Sequence, residues 1–380
     1  MENVLRSIED KEQEMIAFLQ QLVNIDSGCD NPEGTARVSR LIGAKLAAIG
    51  FKVEYLDYPG ICSHLKATKR GTTAKEVMVI GHMDTLFPKG TAEKRPFTVK
   101  DGKAYGPGVL DMKGGITIAL FALQALAEAG KTEKGVTVLF AGDEEIAHPQ
   151  TNAAELFEKE ARGKAAVFNM ETASAGEAVL IGRKGNLYAE MVVKGISAHA
   201  GADLDKGANA ITELAHKVIE IGKLTDFARG LTYNAGVIAG GTVANAVPDQ
   251  AVVQIDVRYL KYDDRLKAVN SLQEIAARQY VAGTETELAN VCEQFPPMEA
   301  RDMNKQLFEI VRAQGKKLGL AIEAKIGGGA SDAGWTVRAG APSLCAMGAI
   351  GEFNHSDREY IYLNSLVKRA KLLALSIDAL

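Results

Sequence analysis

Histidines and carboxylates recur in this sequence just after apolar runs, and that combination of residue types is the raw material of a hydrolytic metal site. After the run at residues 77–80 come Gly81, His82, Met83 and Asp84; after 136–140 come Ala141, Gly142, Asp143, Glu144 and Glu145. Glu171 follows the run at 165–168, His355 and Asp357 lie beyond the run at 343–346, and Asp111 sits in Gly108-Val109-Leu110-Asp111-Met112-Lys113-Gly114-Gly115. Taken singly, each has an ordinary explanation: a helix cap, a loop carboxylate, a structural histidine. Gathered in one place, several carboxylates repel and raise one another's pKa unless cations neutralise them. Two histidines with carboxylates and no cysteine suit Zn²⁺, Co²⁺ or Mn²⁺ in an open catalytic site, and two ions about 3.5–4 Å apart are most simply held by a bridging carboxylate. Glu144 and Glu145 are adjacent and face different ways, so one can bind metal while the other stays free as a base. Asp84, on the same side as His82 if the chain stays extended, can hold the second imidazole nitrogen.

The elements that must position these groups follow from the apolar pattern. The four runs read as buried strands, and between the first two Ile116, Leu120, Leu123 and Ala127 recur at helical spacing, with Gly130 as a stop. Strand, helix, strand implies a parallel sheet, whose ligands bind at the carboxyl ends of the strands. From 185 to 296 the order changes to strand, helix, strand, strand, helix, strand, a ferredoxin-like α+β unit. Along residues 253–259 apolar Val253, Ile255, Val257 and Tyr259 alternate with Gln254, Asp256 and Arg258, which suits a sheet packed on one face. Two domains are expected: a discontinuous α/β domain of 1–184 and 297–380, and the insert at 185–296.

Composition narrows the function classes. The chain has 380 residues, 47% hydrophobic and 24% charged, with 44 Lys+Arg against 48 Asp+Glu and a formal charge of −4. This is the profile of an ordinary globular protein, with no basic excess for nucleic acid or a membrane surface. Cys29, Cys62, Cys292 and Cys345 are scattered without CxxC spacing, arguing for a reducing, cytoplasmic setting. The apolar stretch at 116–127 falls short of the roughly 20 residues that span a bilayer. Residues 1–23 read as one amphipathic helix with Val4, Leu5, Ile8, Ile16, Leu19 and Val23 on its apolar side, not as a signal sequence.

The motifs resemble those of the M20 metallopeptidases, most of all the glutamate carboxypeptidase branch. The resemblance rests on His82-Met83-Asp84-Thr85, Tyr105-Gly106-Pro107-Gly108, Asp111-Met112-Lys113-Gly114-Gly115 and Asp143-Glu144-Glu145. It continues through Ser197-Ala198-His199-Ala200-Gly201, Asp256-Val257-Arg258-Tyr259, Gly327-Gly328-Gly329-Ala330-Ser331-Asp332 and His355-Ser356-Asp357, in the family order over nearly the whole chain. It implies a zinc-exopeptidase-like catalytic domain with a mostly parallel central sheet, plus the ferredoxin-like insert as a lid that also makes a homodimer. It further implies two divalent ions, zinc foremost, with cobalt or manganese as alternatives. His82 and Glu171 would hold one ion and Glu145 and His355 the other, with Asp111 as the bridge, Glu144 as general base and Asp84 behind His82. His199 would stabilise the oxyanion in the neighbouring subunit's site, while Asn245, Arg258 and Gly328 would contact substrate, Arg258 through a carboxylate. The implied reaction is hydrolysis of an amide next to a free carboxylate in a small peptide.

Three departures bear on specificity. Glu171 is followed by Thr172, where many relatives have proline; Cys292-Glu293-Gln294-Phe295 lacks the basic residue that the glutamate carboxypeptidases place nearby, for which Arg183 and Lys184 are substitutes; and His148 reads as an ordinary loop histidine. An N-acyl amino-acid deacylase needs the same ions and the same Arg258. A salt bridge to Asp256 would make Arg258 structural. A non-catalytic scaffold would not need Glu144 beside a complete ligand set, and GxSxG, Walker A and GxGxxG patterns do not occur.

Overall fold

The computed structural model describes residues 1–173 and 176–380. It divides into two compact units, one of Met1–Gly182, Ala300–Gly327 and Ser331–Leu380, the other of Arg183–Glu299 with Gly328–Ala330. Gly328 therefore groups with the second unit and not, as its position in sequence suggested, with the catalytic one: Arg183 Nε donates to the Gly329 carbonyl at 2.8 Å and ties the glycine run there.

In the first unit, six strands lie in the order Lys52–Tyr58, Cys62–Lys69, Gly135–Ala141, Glu76–His82, Ala166–Asn169, Ser343–Leu344. The last four run parallel to one another and the second is antiparallel to both its neighbours, so the sheet is mixed and mostly parallel. The register aligns the carboxyl ends of the parallel strands. His82 pairs with Ala141, and Ile80 with Asn169, so the chain leaves the sheet at one edge with His82, with Asp143-Glu144-Glu145 and with Met170-Glu171. Strand cores such as Val77, Val79, Val138, Phe140, Val167 and Phe168 are fully buried between helices, as parallel strands require.

The crossover helix Gly114–Glu128 is apolar almost all round because it lies in the core. Counted with the turn before it, Val109–Glu128 is the stretch among the described residues long and apolar enough to cross a membrane, but it is buried along most of its length inside the unit. The sequence estimate was shorter because it began after the two glycines. The expected single N-terminal helix is two, Glu2–Asp10 and Glu12–Val23, broken at Lys11, whose Nζ turns to Glu128 at 2.9 Å.

The second unit is a four-stranded antiparallel sheet, ordered Thr232–Gly240, Gln250–Tyr259, Gly185–Lys194, Glu285–Phe295, with helices Ala210–Lys223 and Tyr262–Ala277. Leu187, Ala189, Met191, Val253, Ile255 and Val257 form its core with Leu214, Ala268 and Leu272 from the helices. This is the strand order of the ferredoxin-like unit.

Candidate metal centre

The parallel-strand exits described above deliver His82, Glu144 with Glu145, and Glu171, and a smaller sheet supplies the rest. Its strands are ordered Gly351–Glu352, Tyr360–Tyr362, Lys103–Tyr105, Thr98–Lys100. His355 lies in the turn of the first hairpin, and Tyr105, paired with Tyr360, leads straight into the turn that carries Asp111. Two segments almost 250 residues apart in sequence are thereby brought side by side.

Asp111 is the centre of the arrangement. Its Oδ1 lies 3.1 Å from His82 Nε2 and its Oδ2 lies 3.0 Å from His355 Nε2, so the two oxygens serve different histidines. Glu171 Oε1 is 3.6 Å from His82 Nε2, and Glu145 Oε2 is 3.4 Å from His355 Nε2. The side chains fall into two groups of three with metal-ligand chemistry, His82, Asp111 and Glu171, and Asp111, Glu145 and His355, the donor atoms of each within 4.8 Å of one another. The five residues that the resemblance named as ligands are thus together, in the division it implied. They fit divalent ions by their chemistry: three carboxylates and two imidazoles share a largely buried space, and Glu145 Oε1 is buried with no hydrogen-bond partner.

Glu144 stands beside this set, buried, with Oε2 4.0 Å from His82 Nε2. Burial pushes its carboxyl well above the usual range; His82 opposes this, and Glu171 and Asp332 add to it. Burial works against a proton on His82, but Glu144, Asp111 and Asp84 outweigh it and hold the imidazole pKa well above its ordinary value. Hydrogen bonds from both histidines prevail over burial and lower Asp111.

Asp84 does not sit where an extended strand would put it. The strand ends at His82, so the same-side argument fails; the nearest acceptor for His82 Nδ1 is the Asp84 main-chain carbonyl at 3.1 Å, with the carboxylate at 3.4 Å. The other carboxylate oxygen accepts the Glu145 N–H at 2.9 Å, which couples the two strand exits. His148 likewise departs from the expectation. It is no ordinary loop residue but buried between Asp143 and Asp332.

Several supports were invisible in the sequence pattern. Glu359 is fully buried and accepts the N–H groups of Gly108, Leu110 and Asp111 at 3.1, 2.8 and 3.0 Å. Burial raises its carboxyl to about 7 against the pull of those donors. Asn354 Nδ2 donates to Asp111 Oδ2 at 3.2 Å, and the buried Lys113 ammonium to the Ile25 carbonyl at 2.8 Å. The only hint of Glu359 was an acid inside an otherwise aromatic strand entry, Glu359-Tyr360-Ile361-Tyr362. Cys62, His64 and Asp143 also lie within ligand distance of one another. Within this group His64 Nδ1 accepts the Gly142 N–H at 3.0 Å and Asp143 is held by His148 and Thr151, while His64 Nε2 is buried with no hydrogen-bond partner.

The residues expected to meet substrate belong to the second unit. His199 is exposed, and its Nδ1 accepts the N–H groups of Gly201 and Ala202, both at 3.1 Å, which leaves the proton on Nε2. Asn245 is on the adjoining segment: Ala200 N donates to its carbonyl at 3.0 Å, and His199 pairs with Ala246. Arg258 is half-buried and bonded through Nε and Nη2 to Asp256, at 2.8 and 2.9 Å, the pairing that the structural alternative anticipated. Gly328 is exposed, with open space where a Cβ would stand.

Residues 78–379 match the profile of peptidase family M20/M25/M40. The chain belongs to the M20 peptidase family. Across 98% of this M20 chain and 91% of the relative, it is 32% identical to carboxypeptidase G2 of Pseudomonas sp. (strain RS-16). It is 27% identical to the succinyl-diaminopimelate desuccinylase of Burkholderia ambifaria (strain MC40-6), over 85% of this chain and 88% of that one. Among solved structures, aminopeptidase PepT from Bacillus cereus ATCC 10987 superposes with a TM-score of 0.83 at 21% identity, covering 97% and 98% of the two chains. The M20 family metallo-carboxypeptidase Sso-CP2 from Sulfolobus solfataricus gives a TM-score of 0.75 at 18% identity, covering 96% and 98%. At those identities the structural likeness speaks for the fold. With its buried His, Asp and Glu groups, this M20 protein is a metal-binding hydrolase of the peptidase and amidohydrolase class.

Proposed function

We propose that the protein is a carboxypeptidase-type enzyme that hydrolyses an amide next to a free carboxylate in small peptides, using two divalent ions, zinc in the first instance. The observation that carries the reading is Asp111, whose two oxygens serve His82 and His355 separately. His82 and Glu171 would hold one ion, Glu145 and His355 the other, and Asp111 both. The ions would polarise the scissile carbonyl and lower the pKa of the attacking water towards about 7. Glu144, buried and 4.0 Å from His82, takes the proton of that water and passes it to the leaving amine. His199, exposed and with its proton left on Nε2, would donate to the oxyanion, a contact whose loss typically costs about 2.7–4 kcal/mol. Arg258 would read the substrate carboxylate by exchanging its Asp256 pair for the ligand, and Asn245 and Gly328 would be further substrate contacts.

A homodimer through the second unit is part of this reading. Val237 and Ile238 are more than half exposed on the edge strand Thr232–Gly240, as is Ile219 on the helix Ala210–Lys223, an apolar surface that suits a two-fold partner. The likeness to a desuccinylase favours a second reading, deacylation of N-acyl amino acids by the same machinery.

The test is a hydrolysis screen over dipeptides and N-acyl amino acids, with zinc, cobalt or manganese returned to chelated protein and metal content measured in parallel. Two ions per chain and turnover only of substrates with a free carboxylate are expected. At most one ion per chain after reconstitution sinks the two-metal site; no turnover with two ions bound favours a scaffold.

A further inference from the structure

Two buried carboxylates stand behind the Glu144-Glu145 turn and belong to neither group of proposed ion ligands: Asp143, just after the strand Gly135–Ala141, and Asp332, at the start of the helix Ala333–Arg338. His148 lies between them, itself buried. Its Nδ1 is 2.6 Å from Asp143 Oδ1 and its Nε2 is 2.8 Å from Asp332 Oδ1. An imidazole donates through both nitrogens only when both are protonated, so the bridge is a cation between two anions. Burial opposes that charge, and the two carboxylates outweigh it.

The main chain closes around the same residue. The His148 N–H donates to the Asp143 carbonyl at 3.1 Å and the Ala147 N–H to the Glu144 carbonyl at 2.7 Å. Ala147 and His148 both have left-handed backbones, with φ of 63° and 54°, a conformation that non-glycine residues keep only where their surroundings hold them. Thr151 adds a hydrogen bond to the other Asp143 oxygen at 2.9 Å. Glu144 and Glu145 sit between the two ends of this closed turn.

We propose that His148 is a positioning residue, which fastens the turn carrying Glu144 and Glu145 to the start of the helix Ala333–Arg338 and so sets where both carboxylates stand. The proposal rests on the reading of Glu144 as base and Glu145 as ion ligand, and it adds a determinant that the ligand motifs do not contain. A brace that only stabilised the fold would lower Tm and leave ion affinity and kcat alone.

The experiment compares His148→Gln and Asp332→Asn with wild type in zinc-reconstituted protein. Competition with a chromophoric chelator reads the affinity of each ion, Tm is taken on metal-free protein, and kcat and KM are measured on a substrate that wild type turns over. Partners of this kind typically change metal affinity or activity by about 10–100-fold. In His148→Gln one of the two ions should bind about 10–100-fold more weakly, and kcat should fall at least about tenfold with KM within about twofold. Asp332→Asn keeps the shape and leaves His148 paired with Asp143, so it should move the same quantities in the same direction by less, and the double variant should be no worse than His148→Gln. Ion affinity and kcat within about twofold of wild type in both variants, with only Tm lowered, overturns the proposal. Asp332→Asn decides alone if His148→Gln does not fold, and unchanged affinity and kcat there also overturn it. Because ion affinity is read without turnover, a wild type that binds two ions and hydrolyses nothing defeats the functional reading separately.

Discussion

Two adjacent glutamates with different surroundings can do different work, and at Glu144 and Glu145 the geometry separates them. Glu145 faces His355 at 3.4 Å and has its main-chain N–H tied to Asp84, whereas Glu144 faces His82 from 4.0 Å and makes no closer pair with either histidine. Glu144→Gln keeps the shape but cannot carry a proton, so kcat should fall by about 10²–10⁴ while both ions stay bound. Glu145→Gln should release or weaken one ion. Titrating zinc into each variant alongside steady-state rates checks this, and ion loss in Glu144→Gln with only a rate loss in Glu145→Gln would reverse the assignment.

At the scale of elements, the site depends on how closely the crossover helix approaches the end of its neighbouring strand. A Cβ at Gly115 would stand 1.8 Å from the Met170 carbonyl oxygen, and one at Gly348 would stand 2.1 Å from the same atom. Gly115, part of the Asp111-Met112-Lys113-Gly114-Gly115 motif, and Gly348 therefore let a helix and a loop press on the peptide preceding Glu171. Gly115→Ala should push that peptide away, with an overpacking cost of typically 1–3 kcal/mol. Its effect should fall on the ion shared by His82 and Glu171 more than on the other. Chemical denaturation of metal-free protein gives the first quantity and competitive chelation the second; equal weakening of both ions would mean that the helix does not act through Glu171.

At the scale of the whole molecule, the proposed function asks His199 of the second unit to take part in the reaction. The proposed dimer makes His199 act across subunits, and this has a direct consequence for mixtures. Glu144→Gln and His199→Ala homodimers should each be inactive, yet mixing them under exchanging conditions should restore up to about a quarter to a half of the activity per chain, since one site in a heterodimer keeps both groups. Native mass spectrometry confirms the heterodimer, and its presence without recovered activity would place His199 within its own site or outside the reaction.

The local pattern alone determined a good part of this protein. Buried parallel strands need continuous apolar runs, and the residues just after them leave the sheet at one edge, so His82, Glu144, Glu145 and Glu171 are legible as a cluster in the sequence. The helical spacing of Ile116, Leu120, Leu123 and Ala127 likewise marked the crossover helix, and element order with alternation marked the second unit. Tertiary structure alone decided what holds the cluster in place. Glu359 reaches its three N–H donors across up to 251 residues, and His148 meets Asp332 across 184. Asp84 turned out to serve His82 mainly through its main chain, because the strand stops one residue after Gly81. Periodicity and spacing encode which face a residue takes on its own element. They carry no information on which distant buried charge it meets, because that choice is made by the packing of whole elements, where an unpaired buried ion is too costly to leave.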